Sequence, residues 1–88
     1  MGVGSIRFDG VRFVAYFEDH EPRHVHGFYA DIEVVLEFHD KPQRNIALAN
    51  RSNAVRPGNA SRSDVKRVLR IAAAHFDELV KLWEDAHA

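Results

Sequence analysis

The chain reads as an α+β domain: a small antiparallel sheet of three to four strands packed on one long C-terminal helix. Three observations predict it. Alternating apolar residues flank the pair Asp9-Gly10, the mark of a β-hairpin. A second alternating run, Ile32 to Phe38, has the period of a strand. The last part of the chain repeats apolar residues every three or four positions, the period of a helix with one buried face. A chain of 88 residues supports one core, so residues 1–88 are expected to form a single domain.

The hairpin covers 5–18. With Asp9 and Gly10 as its loop, Phe8 faces Val11 and Ile6 faces Phe13, on one side of the sheet. Arg7 and Arg12 are then directly opposite, a like-charge pair that is tolerable when both extend into water. Glu18 to Arg23 is a polar connector containing Pro22. Residues 24–38 carry two extended runs, 24–29 and 32–38, with Tyr29-Ala30-Asp31 at the turn between them. His39 to Gln43 reads as another turn, and 45–49 as a short further strand. Residues 50–61 combine Pro57 and Gly58 with several Asn and Ser, the composition of a surface loop.

The helix is expected over 62–86, capped by Ser61 or Ser63. Val65, Leu69, Ala72, Phe76, Leu79 and Trp83 form one stripe, widened by Val68 and Val80. As a single rod, 63–86 spans roughly 36 Å. A seven-residue strand spans only about 23 Å. The expectation is an overhang that offers Leu79, Val80 and Trp83 to a partner.

Composition limits the function classes. At 45% hydrophobic and 28% charged, the chain has the makeup of a folded domain. It has no cysteine, which excludes disulfides, zinc–thiolate sites and thiol nucleophiles. No apolar run is long enough to cross a membrane, and the N-terminus lacks a signal-peptide pattern, so a cytoplasmic location is expected. No phosphate-binding glycine loop, nucleophile elbow or dinucleotide fingerprint is present, which argues against a cofactor enzyme.

The net charge of −1 hides a separation. Residues 1–40 hold three Arg against eight acids; residues 41–70 hold eight bases against Asp64 alone; residues 71–88 hold Lys81 against four acids. Helix N-termini favour acids by roughly 0.3–1 kcal/mol per charge. Here Arg62, Lys66, Arg67 and Arg70 open the helix and the acids close it. One reading is a surface for RNA or another anion, built from Arg51, Arg56, Arg62, Lys66, Arg67 and Arg70. The other is that Lys66 and Arg70 pair with the acids of the first forty residues.

Six His are present, three of them within His20-Glu21-Pro22-Arg23-His24-Val25-His26. On an extended run His24 and His26 share a face with Phe28, their Cβ atoms about 7 Å apart. Such a pair can share proton work, with His24 or His26 as general base, or hold zinc or another divalent metal together with His20. His39, Asp31 and Glu33 are further candidates for a ligand that the sequence does not place. A surface His pair, or a platform that stacks bases with Phe28 and Tyr29, accounts for the same residues.

Asp9-Gly10-Val11-Arg12-Phe13, then Glu21-Pro22-Arg23-His24-Val25-His26, then His75-Phe76-Asp77-Glu78-Leu79 with Trp83, resemble the bacterial domain-of-unknown-function family 4160. Pro22, His24, Val25, His26, Glu78, Leu79 and Trp83 match its pattern, whereas Arg23 replaces a second proline and 40–60 is longer than the pattern implies. The resemblance implies a small stand-alone protein. It also suggests a genomic setting, because some members are labelled as toxin components of toxin–antitoxin systems. Three readings follow. The first is a toxin–antitoxin-type module contacting RNA or a cognate, antitoxin-like protein, with ribonuclease-type cleavage as one branch. The second is a metal-binding or hydrolytic protein using His20, His24 and His26. The third is a non-catalytic adaptor, with homodimerisation through the sheet edge or the C-terminal helix.

Overall fold

A computed structural model describes residues 3–40 and 44–88. The element order is β1 (Val3–Phe8), β2 (Val11–Tyr16), β3 (His24–Tyr29), β4 (Ile32–His39), β5 (Asn45–Leu48), β6 (Val55–Arg56), α1 (Arg62–Ala74) and α2 (Phe76–Ala86). The α+β class holds, with a richer sheet than the three to four strands expected. All pairings are antiparallel, in the order β1-β2-β3-β4-β5, and β6 also pairs with β4.

The first hairpin has the register its sequence dictates: Phe8 opposite Val11, Ile6 opposite Phe13 and Arg7 opposite Arg12. Asp9 and Gly10 both take positive φ, 49° and 85°, as a type I′ turn requires. Arg7 and Arg12 are both exposed, so water screens the like-charge pair. In the next hairpin Tyr29 opposes Ile32, leaving Ala30 and Asp31 as the loop. The expected turn at 39–43 falls partly on 41–43, outside the described residues. The expected loop 50–61 contains β6. This two-residue strand pairs with Glu33 and Val34, while β5 takes Leu36 to His39 farther along the same edge of β4.

The single long helix is corrected to two. α1 ends at Ala74, His75 leaves helical geometry with φ −124° and ψ 36°, and α2 starts at Phe76. The apolar stripe runs through the break without a gap, so the periodicity carries no sign of it. Tertiary packing does: the His75 ring stacks on Phe8 of β1, centroids 3.7 Å apart and planes within 4°. The break lets α1 cover β3, β4 and β5 while α2 covers β1, β2 and β3. It also removes the overhang, since Leu79 and Trp83 are buried in the core.

The break revises the charge order as well. Asp77 and Glu78 now occupy the first turn of α2, where acids are favourable. The basic start of α1 remains opposed to the helix dipole, as do Glu84 and Asp85 in the last turn of α2. Ser61 is the cap there, its Oγ accepting from the Asp64 backbone N–H at 3.2 Å.

The core lies between the sheet and the helices. Val11, Phe13, Ala15, Val25, Val34 and Leu36 meet Val68, Ile71, Ala72, Leu79 and Trp83. Gly27 allows the close approach of α1: a Cβ there would lie 2.9 Å from Val68 Cγ1 and 3.2 Å from Phe13 Cε1. Among the described residues, no helix covers the opposite face of the sheet. A small apolar cluster, Val35 with Ala49 and Ala54, fixes the 49–54 segment against it. Two backbone bonds assist, from Val35 N to Ala54 O and from Ala49 N to Val35 O.

Candidate functional site

The loop-side face carries the buried polar groups of the domain. Strand register puts Val14, His26 and Val35 in one row across β2, β3 and β4, and places His24 opposite Glu37 in a neighbouring row. His24 is 5% exposed, His26 8% and Glu37 9%. β2 and β3 pair only over Arg12–Val14 and His26–Phe28, and beyond that ladder the connector 17–23 leaves the sheet. This connector begins with a turn, Asp19 N donating to Tyr16 O at 3.1 Å, which directs the Asp19 side chain to the two His.

The geometry there is tight. Asp19 Oδ2 lies 3.2 Å from His24 Nε2 and 3.1 Å from His26 Nε2. The other nitrogen of each ring is engaged. His24 Nδ1 donates to the Pro22 carbonyl at 2.8 Å. His26 Nδ1 meets Glu33 Oε2 at 2.9 Å, and Glu33 Oε1 accepts from Arg56 at 2.9 Å. Aromatic packing holds both imidazoles: Tyr16 meets the His26 ring edge-on at 5.1 Å, and Trp83 lies 5.3 Å from His24. His87 stacks on Trp83 at 3.8 Å and donates from Nε2 to the Asp19 carbonyl, tying the end of α2 to the connector.

A cleft of about 500 Å³ opens beside this cluster, lined by Glu18, Asp19, Glu21, His24, Glu37 and Arg51 among others. Glu37 Oε2 accepts from the backbone N–H of Asn50 at 3.2 Å, which holds the far wall. His20 lines the same cleft but is exposed, and it is not part of the Asp19, His24 and His26 grouping. Asp31 is exposed at the β3–β4 turn, and His39 lies 3.6 Å from Glu37.

The six basic candidates separate. Arg51 stands at the rim of the cleft. Arg56 is committed to Glu33. Arg62 and Lys66 border an apolar groove of about 380 Å³ formed with Leu48, Val55, Val65 and Leu69. Arg67 covers the Tyr29 ring, its guanidinium carbon 5.5 Å from the centroid, and Arg70 is exposed. Lys66 and Arg70 find no acid of the first forty residues among the described residues.

Asp19 is the member of this cluster that sequence reasoning missed. It stands between Glu18 and His20 in a run of polar residues that has no period to mark one of them. The usable signal is the spacing Asp19, His24, His26: a turn acidic residue followed by the same-face pair of a strand. No helix among the described residues is long and apolar enough to cross a membrane. Searches of the curated proteins and of the solved structures returned no match. The family model described as "Domain of unknown function (DUF4160)" matches residues 10–84, and the chain belongs to that family.

Proposed function

We propose that this domain is an interaction module that contacts an acidic partner through α1 and the loop before it. The partner is the phosphate backbone of RNA or the acidic face of a cognate protein, as for a toxin–antitoxin component. One observation carries the reading. Arg23, Arg44, Arg56 and Lys81 each meet a carboxylate, respectively Asp40, Asp77, Glu33 and Asp85. Among the described residues, Arg62, Lys66, Arg67 and Arg70 have none. Arg62, Lys66 and Arg70 follow one another at four-residue spacing, so they share one exposed helix face. Arg62 does so in the first turn, where the dipole makes cations unfavourable and anions welcome.

The cleft at Asp19 and His24 is less suited to that contact. Glu18, Asp19, Glu21 and Glu37 line it against Arg51, so a phosphate backbone meets mostly carboxylates there. The reading therefore separates a binding surface on α1 from whatever the His cluster does.

Titration of the isotope-labelled protein with a short single-stranded RNA, and separately with an acidic peptide, tests it. Amide shifts are expected to centre on 62–70. With RNA, the double variant Lys66→Glu, Arg70→Glu is expected to weaken binding by more than tenfold. Each lost phosphate contact flattens the dependence of log affinity on log salt by about 0.7. No shift at α1 with either probe at millimolar concentration overturns the reading.

A further inference from the structure

We propose that Asp19, His24 and His26 form a binding site for a divalent first-row transition metal, zinc by its donor set, with a coordination position left open toward the cleft. The site is independent of the α1 surface.

The distances fit a shared ion. Two ligand atoms on a tetrahedral zinc, each at its usual bond length, lie about 3.3 Å from one another. Asp19 Oδ2 is 3.2 Å from His24 Nε2 and 3.1 Å from His26 Nε2. All three donor atoms lie within 4.8 Å of one another.

The hydrogen bonds make the same point more sharply. Pro22 O can only accept, so His24 Nδ1 carries the proton, and neutral His24 presents a lone pair at Nε2. Glu33 Oε2 faces His26 Nδ1 at 2.9 Å while Glu33 Oε1 accepts from Arg56; in the tautomer with its proton on Nδ1, His26 likewise presents a lone pair at Nε2. His26 Nε2 is within hydrogen-bond distance of Asp19 Oδ2 at 3.1 Å, so a proton can join that pair; in the tautomer that binds a metal, two imidazole lone pairs and a carboxylate oxygen face one small volume. In that state a metal ion takes the place of the proton between His26 and Asp19 and engages His24 Nε2 as well. His24 Nε2 is buried and has no hydrogen-bond partner, although Asp19 Oδ2 is only 3.2 Å away. A close oxygen that completes no hydrogen bond with Nε2 is what two ligands of one ion look like, since each points at the ion and not at the other.

The supporting shell is that of a metal centre. Ligating His residues characteristically donate their second N–H to a carbonyl or a carboxylate, which fixes tautomer and ring orientation. Both do so here, to Pro22 O and to Glu33. Two imidazoles with one carboxylate favour zinc or its first-row neighbours over magnesium or calcium, which prefer oxygen donors. Of the three ligands, Asp19 and His24 line the open cleft, which leaves room for water as the fourth.

The test uses the full chain stripped with a chelator and then titrated with zinc chloride. One equivalent is expected to bind. The thermal midpoint is expected to keep rising with zinc beyond saturation, because the ion binds the folded form. Cobalt(II) in place of zinc is expected to give the visible bands of a four- or five-coordinate site. Asp19→Asn and His26→Gln are each expected to weaken zinc binding at least tenfold, Glu33→Gln by about 10–100-fold, and His20→Ala not at all. The unaltered protein supplies a readout that requires no variant: on zinc addition the Nε2 resonances of His24 and His26 shift strongly, and those of their Nδ1 atoms far less. No binding of zinc or cobalt at millimolar concentration overturns the proposal. So does binding that survives the double variant His24→Ala, His26→Ala, which would mark adventitious surface histidines. Loss on His20→Ala with retention on Asp19→Asn would overturn the ligand assignment.

Discussion

The two faces of the sheet are closed in different ways. On the helix side, Phe13, Val25, Val34 and Leu36 interlock with Val68, Ile71, Leu79 and Trp83, and nearly every buried group is apolar. On the loop side the buried apolar groups are few, Val14 and Val35 with Ala49 and Ala54, and they share the face with His24, His26 and Glu37. Burying polar groups is unfavourable unless each is satisfied, and His24 Nε2 is not. The first face maximises apolar burial. The second holds donor atoms at fixed positions, which stability alone does not reward.

If that contrast is right, truncation harms the two faces unequally. Leu79→Ala removes a fully buried side chain of α2 and is expected to lower stability by about 2–5 kcal/mol. Val35→Ala on the loop side removes two methyl groups, worth about 1.6 kcal/mol by transfer. Urea unfolding of both variants gives the comparison, and equal losses would break it.

Gly27→Ala sharpens the helix side by adding volume. The new methyl would meet Val68 Cγ1 at 2.9 Å and Phe13 Cε1 at 3.2 Å, so α1 must shift away from β3. A loss of about 1–3 kcal/mol is expected. Proton shifts of Val68 and Phe13 should report the displacement. An unchanged midpoint would mean that this face yields more readily than its packing implies.

Asp19→Asn probes the loop side with almost no change of shape. In the metal-free protein an amide –NH₂ can donate to an imidazole lone pair, in place of the contact that Asp19 Oδ2 makes with His26 Nε2 at 3.1 Å. Stability is expected to hold or to rise by up to about 1 kcal/mol. A loss of more than about 2 kcal/mol, the scale of a charged hydrogen bond, would make Asp19 a structural ion-pair partner and place both faces under one rule.

The same contrast governs what the sequence discloses. The helix-side face is legible because its signals are local: Asp9-Gly10 sets a hairpin and its register, and Ile32, Val34, Leu36 and Phe38 declare their face by alternation. The loop-side face is legible only in part. His24 and His26 share a face because a strand has period two, so that pairing follows from sequence. Asp19 joins them through a turn and through a bond from His87, 68 positions away in the chain, and no local pattern encodes either. The break at His75 is hidden for the same reason, since Phe8 holds the ring while Ala72, Phe76 and Leu79 continue the stripe. β6 is two residues inside an Asn- and Gly-containing segment, too short to show a period.

The smallest effect expected is at the join between the two faces. His87, at the end of α2, meets the Trp83 carbonyl from Nδ1 at 2.8 Å and the Asp19 carbonyl from Nε2 at 2.9 Å. Carbonyl oxygens only accept, so both bonds together require a proton on each nitrogen. The Trp83 carbonyl, then the Asp19 carbonyl, raise the His87 pKa above its ordinary 6.5; burial opposes them weakly, and the Asp19 and Glu21 carboxylates add to the rise. A raised pKa in the folded chain means that folding favours the imidazolium. The stabilisation is complete below 6.5, the value for the unfolded chain, and is lost as pH climbs through the raised folded value. His87 is exposed, so water screens most of the effect. In the metal-free protein the His87 ring resonances should titrate with a midpoint above 6.5. The amide of His20, which shares a peptide group with the Asp19 carbonyl, should shift along the same curve. A His87 midpoint at or below 6.5, or a His20 amide that ignores it, would show that α2 does not hold the connector and that the loop-side face positions Asp19 by itself.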